Sequence, residues 1–323
     1  MTRLVLVELT RLRWRRAVQG LLLAALLLTV LIGAVAAWDT RPLSAQEQQR
    51  IAADVERETR APGTQQVLRD CVADPAGWGL PAVDLSDPEV VQEACEEAVL
   101  PQPEWFGGRP ALDLERVAAE HGVALATVLC GLVLLVGTTF AGHDWGTGSM
   151  TNQLLVEPRR ARVWAAKVVA AAVGALAATA TLLGVFAGGL RLVAATRDLP
   201  VTAADQAALW QLCWRTALVA VAAAVVSCTL TLLVRSTVAA LGVLFAALAV
   251  LPVVLVTLTG SDDALTATPA VRVAAVLADG YQTFTDAGRP EVLTAGEGGR
   301  YLLVLAVLVA LPSLLAFRRA DVA

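Results

Sequence analysis

The sequence predicts an all-α, polytopic membrane protein with six transmembrane helices and a small extracytoplasmic domain between the first two. Hydrophobic residues make up 57% of the chain and charged residues 17%, whereas soluble domains have about 45–50% and about 25%. The apolar residues are concentrated in blocks close to the roughly 20 residues that a helix needs to cross a bilayer. These blocks lack the alternating pattern of a membrane β-barrel, so each is interpreted as a helix that satisfies its own backbone hydrogen bonds.

The blocks define the predicted organisation of the chain. The six predicted spans are 17–37, 123–141, 163–187, 216–234, 238–258 and 301–317. The remaining segments are an interfacial helix at 1–16, a domain at 38–122, a connecting loop at 142–162, a second outer loop at 260–300 and a tail at 318–323.

Arginine and lysine near the span ends predict the orientation. The segments before the first span, between the second and third spans, and after the last span are the most basic. Because basic residues accumulate on the cytoplasmic side, both termini and the 142–162 loop are expected in the cytoplasm. Abundant arginine with a single lysine favours a bacterial plasma membrane. An alternative is a signal peptide cleaved after Ala34-Val35-Ala36, which would leave five spans.

The 38–122 domain is acidic, with 17 acidic residues against seven arginines. Helices are expected near 46–60 and 88–100, with loops at 74–88 and 101–110. Cys71 and Cys95 lie here, where an extracytoplasmic disulfide would persist; two unpaired thiols are the alternative. In the second outer loop, Thr268-Pro269-Ala270 resembles a helix start.

Several function classes lack their signatures. The sequence contains no phosphate-binding P-loop, no metal-ligand spacing and no hydrolase motif around its two histidines. The predicted spans contain no aspartate or glutamate, which disfavours a proton-coupled carrier. No basic stripe outside the membrane-flanking clusters points to nucleic acid. The chain is therefore expected to use no cofactor and to take its energy from elsewhere.

The 142–162 loop is the most informative segment. Asp144 or Thr147 is expected to cap a short helix over 147–156, and Pro158 is expected to end it. Such a helix, held between two spans, can transmit force from a cytoplasmic motor.

The loop resembles the first cytoplasmic loop of type-two ATP-binding-cassette (ABC) transporter permeases. An acidic residue, Gly-Thr, Leu-Leu, a proline, a basic cluster and a lysine carry the resemblance: Asp144, Gly146, Thr147, Leu154, Leu155, Pro158, Arg159, Arg160 and Lys167. The first eight would contact an ATPase subunit. The Val7-Glu8-Leu9 segment and the arginines after it look like the family's interfacial helix. The family often has glutamate at the Asp144 position and a shorter first outer loop.

The resemblance implies a permease subunit of an ABC exporter that pairs with a second permease chain and docks two ATPase subunits. The 142–162 loop is otherwise a solvated basic connector. One competing hypothesis is a membrane-anchored binding or sensing protein that acts through its acidic domain. Another, an intramembrane enzyme, lacks a polar catalytic cluster in the sequence.

Overall fold

The computed structural model of the chain describes residues 1–78, 88–284 and 290–319. Its helices and strands, labelled in chain order, are α1 (Thr2–Trp14), α2 (Arg16–Asp39), α3 (Ala45–Thr59), α4 (Pro62–Ala73), α5 (Pro88–Val99), α6 (Leu114–Gly146), α7 (Ser149–Val156), α8 (Arg160–Thr196), α9 (Ala203–Val234), α10 (Thr237–Thr259), α11 (Pro269–Leu277), β1 (Tyr281–Phe284), β2 (Pro290–Leu293) and α12 (Ala295–Arg319). The described part of the chain is therefore mainly helical.

Six of these helices are long and apolar enough to span a membrane: α2, α6, α8, α9, α10 and α12. They coincide with the six predicted blocks and confirm the expectation of a multi-pass helical protein. Several are longer than their apolar blocks. The helix α9, for example, starts 13 residues before the predicted 216, because Thr202 and Asp205 form a capping box at its beginning.

The chain divides into two compact units, 1–36 with 114–323, and 37–113. In the second unit, Cys71 of α4 and Cys95 of α5 form a disulfide with a Cα–Cα distance of 5.9 Å. Ser44 caps α3, and its backbone and side chain both donate hydrogen bonds to Glu47. These bonds hold the pKa of Glu47 below its ordinary value. The expected loops fall partly on 79–87, outside the described residues, as do 320–323 of the tail.

In the first unit, α9 is the central helix and packs against α6, α8 and α12. Ser313 of α12 donates a hydrogen bond to the Thr229 carbonyl of α9 at 2.7 Å, and Trp164 of α8 donates one to the Ser313 hydroxyl at 3.1 Å. These bonds link three helices inside the apolar core.

Close helix packing within the chain occurs at two glycines of α6. Gly184-x-x-x-Gly188 in α8 has a spacing that permits close helix approach, but a Cβ added at either position would meet nothing within 4 Å. A Cβ at Gly142 would instead collide with the Thr237 hydroxyl, and one at Gly137 with the Ser227 hydroxyl. Gly184 and Gly188 therefore make no close helix contact within this chain.

The two span prolines have different surroundings. Pro252 follows a π-helical turn at Ala246–Val250 in α10, which fits a residue that cannot donate a backbone hydrogen bond to the preceding turn. Pro312 lies inside α12. After α11, which begins at Pro269 as predicted, β1 and β2 form an antiparallel hairpin that the sequence did not indicate.

Candidate functional site

Lys167, the only lysine of the chain, is the centre of a buried ionic cluster in the first unit. It lies two turns into α8, and its side chain is fully buried. Its Nζ donates to Oε2 of Glu8 in α1 at 3.0 Å and to Oδ2 of Asp144 in the last turn of α6. A buried ammonium is tolerated only with such partners, so Lys167 fixes α1 and α6 to α8.

Arg15, between α1 and α2, completes the ionic cluster of Glu8, Arg15, Asp144 and Lys167. Its Nη2 lies 2.5 Å from Oδ1 of Asp144, and its Nη1 donates to the Phe140 carbonyl at 2.5 Å. The Phe140 ring lies under both cations, 4.9 Å from the Arg15 guanidinium carbon and 5.4 Å from Lys167 Nζ. Two cations and two carboxylates thus meet beside an aromatic ring. Arg11, which is partly exposed, adds a third cation 3.6 Å from Oε1 of Glu8.

The short helix α7 is attached to this cluster by one face. Gln153 donates from its Nε2 to Oε1 of Glu8 at 2.5 Å. Met150 is 1% exposed, and Leu154 packs against the same apolar core that contains Phe140. A movement of α7 would therefore be transmitted to α1, α6 and α8 through direct side-chain contacts.

The opposite face of α7 is open. Leu155 and Val156 are 78% and 88% exposed. Pro158 and Arg159 follow and are exposed too. Gly148, which has a left-handed backbone (φ 69°), directly precedes the helix, and the helix ends at Val156, two residues before Pro158. The expected short helix is present, two residues shorter at its start.

The residues predicted to contact an ATPase differ in their exposure. Gly146, Thr147, Leu155, Pro158 and Arg159 are exposed. Leu154 is partly buried against the core.

Arg160, also partly exposed, donates to the Arg318 carbonyl at 3.4 Å. Asp144 is only 2% exposed, and its carboxylate is occupied by Lys167 and Arg15. Asp144 is therefore not a surface contact, and it does not cap α7 either, because it lies inside α6.

Two members of the cluster were missed as site residues. Glu8 and Leu12 are four residues apart, so they share a face of α1, and both are buried there. That spacing was the available signal that Glu8 lies on the packed face. Arg15 follows the end of α1 and belongs to no helix face that the sequence could define.

Comparison with protein-family models, with curated proteins and with solved structures finds no match for this chain. Among the described residues, no group of three or more histidine, cysteine, aspartate or glutamate side chains is arranged to hold a metal ion. Cys130 and Cys228 are buried, and Cys213 is partly buried. The ionic cluster and the exposed face of α7 are the features from which a function can be argued.

Proposed function

We propose that this chain is the membrane-spanning permease subunit of an ATP-driven ABC transporter of the type-two family, an exporter coupled to a separate ATPase. The chain itself would then not be an enzyme, and it would need no cofactor. It would lie in a bacterial plasma membrane with both termini in the cytoplasm. The observation that carries the proposal is α7, which is fixed to the bundle on one face and exposes Leu155 and Val156 on the other.

The chemistry around α7 favours a protein partner over lipid. Leu155 and Val156 are followed within four residues by Glu157, Arg159 and Arg160. Such a charged run belongs in the aqueous interface, not in hydrocarbon. Large apolar side chains that stay exposed in water mark an interaction surface. We infer that Leu155 and Val156 insert into a groove on the ATPase, with Arg159 at the rim.

The ionic cluster supports a mechanical role for the same element. Gln153 joins α7 to Glu8, and Glu8 joins Lys167 of α8, so a displacement of α7 has a short path to the spans. ATP binding and hydrolysis on the partner would move α7, and the spans would change between inward- and outward-open arrangements.

A second permease chain is part of the proposal. The span α10 has only Ala240 buried, and α2 has only four buried residues. A helix that is apolar all round but unburied within its own chain is available to a neighbouring helix or to lipid. We propose that the exposed sides of α2 and α10 contact the second chain.

The experiment is purification of the tagged chain from its host in mild detergent, followed by mass spectrometry of what is retained and an assay of vanadate-sensitive ATP hydrolysis. We expect an ABC ATPase to be retained. Leu155→Gln should lose both the ATPase and the hydrolysis. The matched control is Leu192→Gln, at a residue 66% exposed near the far end of α8, which should keep both.

Two results would overturn the proposal. One is a wild-type chain that retains no ABC ATPase under conditions in which it stays folded. The other is equal retention of the ATPase by the Leu155→Gln and Leu192→Gln variants, since α7 would then not be the docking element.

The second candidate function is a membrane-anchored binding or sensing protein that acts through its acidic domain. The observation that favours it is the compact unit 37–113 with its Cys71–Cys95 disulfide. Deletion of 45–110 in the full chain distinguishes the two. A permease should still retain its ATPase after this deletion, whereas a sensor should lose its function.

A further inference from the structure

A pocket of about 560 Å³, with a mostly apolar lining that also carries basic and hydroxyl groups, lies at the turn between α1 and α2. It is lined by the turn itself, by the end of α6 and by the start of α10, through the residues Trp14, Arg15, Arg16, Ala17, Thr139, His143 and Thr237. The pocket is adjacent to the ionic cluster, because Arg15 belongs to both.

The pocket carries a positive charge that the protein does not balance. Arg15 is compensated by Asp144 at 2.5 Å. Arg16 is exposed, and within the described ranges no acidic side chain forms an ion pair with it. None of the lining residues is acidic. The Thr237 hydroxyl and the His143 imidazole add polar groups beside the Arg16 guanidinium.

The position of the pocket along the helices indicates its depth in a membrane. Arg16 is the first residue of α2, and the apolar run of that span begins directly after it. Trp14, 66% exposed, is the type of residue that lies at the headgroup level of a bilayer. The start of α10, another candidate span, forms the other side. A pocket bounded by the ends of three spans therefore opens at the depth of lipid phosphates.

We propose that this pocket binds the phosphate of an anionic phospholipid. Basic pockets between transmembrane helices recognise anionic headgroups through charge and hydrogen bonds. Arg16 supplies the charge, and Thr237 supplies a hydroxyl donor. The acyl chains lie along the exposed apolar faces of the two spans, which include Leu23 and Leu27 of α2 and Val238 of α10. The proposal requires a membrane protein but does not depend on an ATPase partner.

Native mass spectrometry of the purified full chain tests this site. The protein in detergent is mixed with equal amounts of phosphatidylglycerol and phosphatidylcholine that have identical acyl chains, and the bound lipids are counted. We expect a preference for phosphatidylglycerol that falls about fivefold in Arg16→Gln, the effect of losing one interfacial arginine. The charge-matched control is Arg3→Gln, because Arg3 is exposed on the preceding helix α1 but does not line the pocket.

Two further arms separate the possible outcomes. Thr237→Val leaves the charge unchanged and should also reduce the preference, which general electrostatic attraction would not do. An excess of sn-glycerol 3-phosphate should not displace the lipid, because the acyl chains contribute to binding; displacement would mean a small-anion site. Equal losses in Arg16→Gln and Arg3→Gln, or no preference in the wild-type chain, would overturn the proposal. Size-exclusion chromatography verifies that each variant is folded.

Discussion

Glu8 and Lys167 meet at 3.0 Å although 159 residues separate them in the sequence, and both side chains are almost completely buried. Asp144 approaches the same ammonium from a third helix. The first helix, α1, packs mainly against α8. The Glu8–Lys167 contact joins these two helices. Because the ionic groups are buried, removing one member leaves the others without compensation.

Replacing Lys167 with methionine should destabilise the protein by about 3–5 kcal/mol, because both buried carboxylates lose their shared cation. Asp144 would keep only Arg15, and Glu8 would keep only the partly exposed Arg11 at 3.6 Å. The free energy of unfolding, measured by titration with a denaturing detergent, provides the test. The control is Arg159→Met, which removes an exposed cation eight residues earlier and should change little.

A double variant separates the ionic contact from the size of the side chain. In the Lys167→Met background, Glu8→Gln should cost less than it does in the wild-type chain, since the carboxylate that it removes has already lost its nearest cation. Additive losses would show that Glu8 and Lys167 do not act as a pair, and the ionic cluster would lose its assigned role.

The spans were predictable because a bilayer requires long apolar segments, and that requirement acts locally along the sequence. The ionic cluster was harder to predict. Glu8, Asp144 and Lys167 lie on three different helices, and only the packing of α1 and α6 against α8 brings them together. The sequence showed that Lys167 lies near a span end, but not that its side chain turns into the core.

Nor could the sequence of α7 show which of its sides is buried and which is exposed. Leu154 and Leu155 are adjacent and chemically identical, and an eight-residue helix between turns has no long periodicity to fix which one faces inward. The left-handed Gly148 sets the start of the helix and with it the direction of each side chain. The structure therefore assigns packing to Leu154 and leaves Leu155 for a partner.

The burial of Leu154 and the exposure of Leu155 predict different effects when each is replaced. Leu154→Ala should lower the thermal stability, because it removes contacts with the core; full burial would make the cost about 2–5 kcal/mol, and partial burial places it at the lower end. Leu155→Ala should leave the stability unchanged and weaken retention of the ATPase. Thermal unfolding and co-purification of both variants give the two readouts. A stability loss in Leu155→Ala would contradict the assignment.

The glycines of the spans give a prediction about packing. Gly142→Ala should destabilise the protein by about 1–3 kcal/mol, because the new methyl group would collide with the Thr237 side chain of α10. Gly184→Ala provides the control, since its methyl group would meet nothing within 4 Å and alanine is the better helix former. Unfolding midpoints of the two variants measure the difference. Similar midpoints would show that α6 and α10 can separate at this point without cost.

The disulfide gives a prediction confined to the 37–113 unit. Cys71 and Cys95 are 24 residues apart, and closing a loop of that length stabilises a fold by about 3–4 kcal/mol in the chain-entropy description. The double variant Cys71→Ser/Cys95→Ser should therefore be cleaved by trypsin at Arg50, Arg57 or Arg60 much faster than the wild-type protein.

Cys213→Ser, at a free and partly buried thiol in α9, should leave these cleavage rates unchanged. Adding a reductant to the wild-type chain should raise its cleavage rate to that of the double variant. The reductant should not change the cleavage rate of the double variant itself. Unchanged cleavage in both cases would mean that the apolar contacts of Ile51 and Val91 hold this unit together without the bridge.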